Sequence, residues 1–266
     1  MELLGNAGRS VALAVAVAVG TAGVAEWFGL LDPVALLLTI GGGLGVTLMT
    51  YSRERLVRAW DLVKVSLAEP EDPEEVLATL KRLGRVHRVE GPTALERVGL
   101  QAEDPFLRTA IGFATDGRDT EELESSLYGE VRRYTAEGES ARQVVLLLGK
   151  LFPAFGLIGT LIGLAHLLRN LGTATNLAAI GPGLGIAVTT TLYGAVLANV
   201  VVLPLAAKLH AHLERRLLVM NMIIDGTLMV QRKEYPTQIE RVLRGAFAVP
   251  MPTRAASPLT LAERAA

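Results

Sequence analysis

The chain of 266 residues contains no cysteine. A disulfide framework, a thiolate metal site and a cysteine nucleophile are therefore excluded. Its four histidines are scattered and none stands at a metal-ligand spacing, which argues against a catalytic metal. A surplus of charge is lacking too: the net charge is −1, so nothing points to a nucleic-acid partner. The most consequential absence is local. The long apolar stretches hold no Asp or Glu apart from Glu26, at the outer edge of the first.

Hydrophobicity is what the chain has in excess. Half of the residues are hydrophobic and the mean hydropathy is +0.38, yet a fifth are charged. These facts agree only if the apolar residues are bunched into membrane spans and the charges lie outside them. Four stretches are long and apolar enough to cross a hydrocarbon core, which takes about 20 helical residues. They are residues 10–28, 33–51, 144–168 and 182–207. None alternates with period 2 over its length, so strands are a poor reading. The expected fold is all-α, a polytopic membrane protein with four transmembrane helices and a helical cytoplasmic domain. Arg9 ahead of the first run imitates a signal peptide, but a second span follows almost at once, as in a helical hairpin.

Basic residues orient these spans. The connection between the first two, residues 26–32, has no Lys or Arg, and that between the last two carries only Arg169. Arg53, Arg55 and Arg58 follow the second span; Lys208, Arg215 and Arg216 follow the fourth. The positive-inside rule then places both termini and the 52–143 segment on the cytoplasmic side of the membrane. The expected parts are residues 1–51 (spans one and two), 52–143 (a cytoplasmic helical domain), 144–207 (spans three and four), 208–247 (a cytoplasmic C-terminal helix) and 248–266 (a flexible tail rich in Pro and small residues). Within the inner segment, Asp72-Pro73-Glu74-Glu75 and Asp104-Pro105 each predict a capped helix start, and Asp119 or Thr120 before Glu121-Glu122 another.

The run Phe152-Pro153-Ala154-Phe155-Gly156-Leu157-Ile158-Gly159-Thr160-Leu161-Ile162-Gly163-Leu164 resembles the third span of MotA/PomA stator subunits of the flagellar motor. Gly183-Leu184-Gly185-Ile186-Ala187-Val188-Thr189-Thr190-Thr191-Leu192-Tyr193-Gly194-Ala195, with Asn199 and Leu203-Pro204, resembles the fourth. Arg88-Val89-Glu90-Gly91, Ala94-Leu95-Glu96 and Asp104-Pro105-Phe106-Leu107 are similar to the family's inner loop, and Ile223-Ile224-Asp225-Gly226 with Gln231 to its C-terminal helix. The likeness covers roughly residues 10 to 247. Pro92 departs from the family, which commonly has helix formers there. The paired-span motif is shared with the broader TolQ/ExbB proton channels; two spans ahead of the large inner segment favour the stator branch.

A cation in hydrocarbon needs a titratable or coordinating group, and this chain offers no carboxylate at membrane depth. The resemblance implies that a MotB/PomB-type subunit supplies one transmembrane Asp, with this chain forming a pentamer around it. What the chain itself offers is hydroxyls: Thr160 in span three and Thr189, Thr190 and Thr191 in span four, of which Thr160, Thr190 and Thr191 are the candidate ion pathway. Each hydroxyl could instead bond the carbonyl one turn back in its own helix. Pro153 and Pro204 each remove a backbone donor and kink a helix; the resemblance adds a role in coupling ion passage to movement. Gly156, Gly159 and Gly163 form a small-residue face for close helix packing. Gly181, Gly183 and Gly185 imitate a nucleotide loop, but no strand precedes them. Lys150 and His166 stand near opposite ends of span three, where such side chains reach the interface.

By the resemblance, Arg88 and Glu96, with Glu90 as a weaker third, engage the rotor switch protein FliG. Without it, they read as solvated surface. The implied function is an ion-conducting stator subunit coupling H⁺ or Na⁺ flow to torque. The alternative is a TolQ/ExbB-like subunit energising an outer-membrane process. An enzyme is disfavoured, because no nucleophile–base pair or metal cluster is encoded. No cofactor is expected beyond the transported ion; membrane lipid is an expected partner and nucleic acid is not.

Overall fold

In the computed structural model, residues 32–68, 72–171 and 181–247 are described. The expected first span and the tail after residue 247 lie outside them. Among the described residues every regular element is helical, as the absence of period-2 alternation requires. The described residues form two compact units: those before Glu71 with Arg133–Arg215, and those of Glu71–Arg132 with those after Arg215.

In the first unit, α1 spans Pro33–Thr50 and α2 spans Arg53–Ser66. Asp32 caps α1, its carboxylate accepting from the Val34 and Ala35 amides at 2.8 and 3.2 Å, ahead of Pro33 at the first helical position. Leu37–Gly41 within α1 is a π turn. The unit also takes its share of α6 (Thr120–Leu171), all of α7 (Gly181–Val196), a second π turn at Leu197–Val202, and the start of α8 (Leu203–Gln231). Three helices among the described residues are long and apolar enough to cross a membrane: α1, a window of α6 and a window within Gly183–Gln231. A core of Ala59, Val63, Ala141, Val144, Phe152, Val202, Ala206 and Leu209 joins α2, α6, the second π turn and α8.

The second unit holds α3 (Pro73–Glu90), α4 (Pro92–Gly99), α5 (Pro105–Thr115) and α9 (Pro236–Phe247), with the remainder of α6 and α8. Asp72, Asp104 and Asp119 each accept a backbone N–H of the first turn, as their positions before Pro or acidic residues predict. Gly91, at φ +87°, breaks α3 from α4, and Pro92 takes the first position of the new helix. Leu77, Leu80, Leu83, Leu95, Leu107, Ile111, Ile223 and Ile224 are fully buried here. Arg244 of α9 bridges Glu74 and Glu240, and Lys81 reaches Glu240 at 2.5 Å, fastening α9 to α3.

Candidate functional site

The helix pair α6–α7 is built on glycine. A Cβ on Gly156 would lie 2.9 Å from the Thr190 carbonyl oxygen, one on Gly163 2.6 Å from that of Gly183, and one on Gly194 2.5 Å from that of Phe152. Only hydrogen fits at those three contacts, so the two backbones meet directly. Gly159 receives the side chain of Thr190 in the same way. The small-residue face expected of Gly156, Gly159 and Gly163 is thus matched by Gly183, Ala187, Thr190 and Gly194 on the facing helix.

That approach brings Thr160 and Thr191 together. Their hydroxyls share a short hydrogen bond. The Thr160 Oγ1 is also 3.1 Å from the carbonyl oxygens of both Gly156 and Ala187, and the Thr191 Oγ1 is 3.3 and 3.4 Å from the same two. Thr191 is exposed and Thr160 half-buried, amid the exposed apolar side chains Leu157, Leu161, Val188 and Leu192. Thr190 is not part of this group. It is fully buried, and its hydroxyl donates within its own helix to Ile186 or Ala187. Thr189, Thr39 and Thr47 likewise bond the carbonyl one turn back. The cross-helix pair is what sequence spacing alone did not separate from its neighbours.

Pro153 lies inside α6 and is exposed; Pro204 is exposed at the second residue of α8. The π turn at Leu197–Val202 immediately precedes Pro204 and shifts the ladder there from i−4 to i−5, with Leu203 N–H donating to the Ala198 carbonyl. This is the local adjustment expected where a proline ring would meet the carbonyl one turn back. Lys150 and His166 are exposed on α6.

In the second unit the three charged candidates behave differently. Arg88 donates to the Lys233 carbonyl at 2.6 Å and stacks over the Tyr235 ring at 3.6 Å. It holds the turn that ends α8, in which Lys233 takes a left-handed φ of 58° and Lys233 and Glu234 donate back to Val230 and Met229. Buried His87 supports the same turn, its Nδ1 2.8 Å from the Val230 carbonyl. Glu90 faces Arg97 at 3.6 Å, whereas Glu96 is exposed on α4. Arg88 and Glu96 do not pair.

Asp104, from the inner-loop motif, has two duties. Beyond capping α5 it accepts from Arg216 at 2.5 and 3.1 Å in a pair whose side chains are 9% and 11% exposed. Burial opposes ionisation of Asp104, but the Arg216 guanidinium and the Phe106 and Leu107 amides together hold its carboxyl below the ordinary aspartate range. Asp225 is shifted the other way, by burial and by Glu124.

The MotA/TolQ/ExbB proton channel family matches residues 99–222. Motility protein A of Aquifex aeolicus is 31% identical over 221 residues, covering 82% of this chain and 86% of that protein. Chemotaxis protein PomA of Vibrio alginolyticus is 29% identical over 214 residues, covering 80% and 83%. In fold, the chain is similar to the structure of C. jejuni MotAB, with a TM-score of 0.80 at 20% identity over 96% of this chain and 98% of that one. It is also similar to the flagellar MotAB stator complex from Bacillus subtilis, with a TM-score of 0.77 at 23% identity over 97% and 98%.

Proposed function

Because the chain belongs to the motility protein A (MotA/PomA) family and is an ion-conducting stator subunit of the bacterial flagellar motor, we propose that H⁺ or Na⁺ crosses the membrane beside the Thr160–Thr191 pair. The observation that carries this reading is an imbalance of atoms. Two hydroxyl oxygens and the Gly156 and Ala187 carbonyls stand within reach of one another, with only two hydroxyl protons to share. An oxygen-rich, proton-poor locus suits a hard cation or a hydrated proton. Thr190, buried against Gly159, positions the pair by packing.

The protein is a multi-pass membrane protein of the inner membrane. α1, and the apolar windows of α6 and α7, carry no Asp or Glu, so the titrating carboxylate comes from a second subunit. The relatives solved as MotAB complexes support a MotB-type partner; in our reading that partner carries one transmembrane Asp and a pentamer of this chain surrounds it. Both termini face the cytoplasm, where Arg53, Arg55, Arg58 and Lys208 follow the spans. Pro153 and Pro204 are the bends through which ion passage moves the inner helices. Glu96, Glu90 and Arg88 meet the rotor protein FliG.

The test is co-expression with the partner in a motile host. Thr160→Ala with Thr191→Ala should abolish rotation while the complex still assembles. Wild-type swimming by that double variant would reject the pathway.

A further inference from the structure

The first unit has a basic cleft that the stator reading does not use. It encloses about 230 Å³ between α2 and α6, with Arg55, Arg58, Arg133, Glu137 and Ser140 around a floor of alanines. Three arginines and a single carboxylate, Glu137, are among its lining residues. Glu54 pairs with Arg58 at 3.5 Å, but both side chains are well exposed, so that pair screens little. A planar guanidinium matches the oxygens of a phosphate, and Ser140 adds a hydroxyl.

The cleft also has a fixed place along the chain. Arg55 comes five residues after Thr50, the last residue of α1, and stacks over Tyr51 at 5.9 Å. One face of α2 is buried through Ala59 and Val63. Its other side leaves Val57 and Trp60 each 60% exposed, with the Lys64 ammonium 5.6 Å from the Trp60 ring. An exposed tryptophan and valine among Arg and Lys, directly after a span, match a helix lying in the headgroup layer.

We propose that this cleft binds the phosphate of an anionic phospholipid of the inner leaflet, with α2 as its interfacial anchor. Arg55 and Arg58 hold the phosphate oxygens from α2, Arg133 and Ser140 from α6, and Trp60 and Val57 rest among the acyl chains beside it. Glu137 opposes the anion and sets a ceiling on affinity. A soluble phosphate would use the same guanidinium groups, but it would gain nothing from the exposed apolar side of α2. The lipid is therefore the occupant.

The full chain, co-purified with its partner subunit, would be exchanged into phosphatidylglycerol or phosphatidylcholine nanodiscs and its retained lipid counted by native mass spectrometry. Phosphatidylglycerol should be retained selectively. Each basic residue near the surface contributes enough that Arg55→Gln with Arg58→Gln should weaken retention about 30-fold. Glu137→Gln should strengthen it, a direction that misfolding would not produce, and Arg108→Gln on α5 should leave it unchanged. Equal retention of the two lipids, or wild-type retention by the double variant, would overturn the proposal. So would displacement of the lipid by millimolar inorganic phosphate, which would mark a soluble-anion site. None of these readouts measures ion flux or torque, so their failure would leave the stator reading standing.

Discussion

Thr160 and Thr191 differ from the other threonines of α1 and α7 in where their hydroxyl protons can go. Thr39, Thr47, Thr189 and Thr190 close local loops to their own helices, whereas this pair reaches across. If their oxygens ligate the ion, each loss removes a hydrogen bond to a charged species, worth about 1.5–3 kcal/mol. Thr191→Ala should therefore slow flux through an unplugged complex by about ten- to a hundredfold, and Thr191→Ser should restore most of it. Ion flux in liposomes checks both. The hydroxyls themselves were legible in the sequence, but their partition was not. Bonding to the carbonyl four residues back is open to any helical threonine, and what sets Thr160 apart is a neighbour 31 residues away. The same lesson holds for Arg88. Its motif suggested a rotor contact, yet its guanidinium also grips the Lys233 carbonyl and Tyr235. Arg88→Gln should lower the melting temperature as well as motility, by a loss of about 1–2 kcal/mol. Glu96→Gln should weaken motility with the melting temperature unchanged.

At the scale of elements, α6 and α7 are held by contact between backbones. Gly163→Ala would push a methyl into the Gly183 carbonyl, an overpacking that costs about 1–3 kcal/mol and should lower the yield of folded protein. Gly185→Ala, with open space around its Cβ, should instead leave stability equal or raise it by up to about 1 kcal/mol. Thermal unfolding in detergent separates the two. The Asp104–Arg216 pair gives a pH signature. Because the folded carboxyl titrates below its unfolded value, its stabilisation is complete above the unfolded aspartate pKa of about 3.9 and is lost as pH falls through the lower folded value. Asp104→Asn keeps a capping oxygen but removes the charge that Arg216 donates to, so it should cost about 1.5–3 kcal/mol at neutral pH and flatten the acid limb of stability. The helix starts at Asp72, Asp104 and Asp119 were readable because capping is local chemistry. The turn at Lys233 was not, because its left-handed position holds no glycine to announce it. The π turns carry no sequence signature of their own.

For the molecule as a whole, composition was sufficient to establish a helical membrane protein, and the paired glycine-rich runs to identify the family. Neither the cross-helix threonine pair nor the Asp104–Arg216 pair followed from composition, since each depends on residues far apart in the chain. The spans among the described residues lack acids, so the chain reconstituted alone should pass far less ion current than the complex with its partner. Robust, selective H⁺ or Na⁺ flux from the lone chain in liposomes would contradict that expectation.

The π turn ahead of Pro204 has a geometric consequence for this unit. Gly194, Ala198, Val202 and Ala206 are all buried, a four-residue cadence that an ideal α-helix cannot keep on one side. At about 100° per residue, the twelve steps from Gly194 to Ala206 overshoot three full circles by about 120°. Absorbing one extra residue in the wider turn cuts the overshoot to about 20°. The turn therefore sets the phase between two contact surfaces: the glycine seam that meets α6 above it, and the Ala206–Leu209 ridge that enters the core below. Deleting Val201 should let the helix close as regular α without rotating either surface, at the cost of a tighter fit around Pro204. Deleting Leu192 should turn Gly183 and Ala187 away from Gly163 and prevent insertion of the pair.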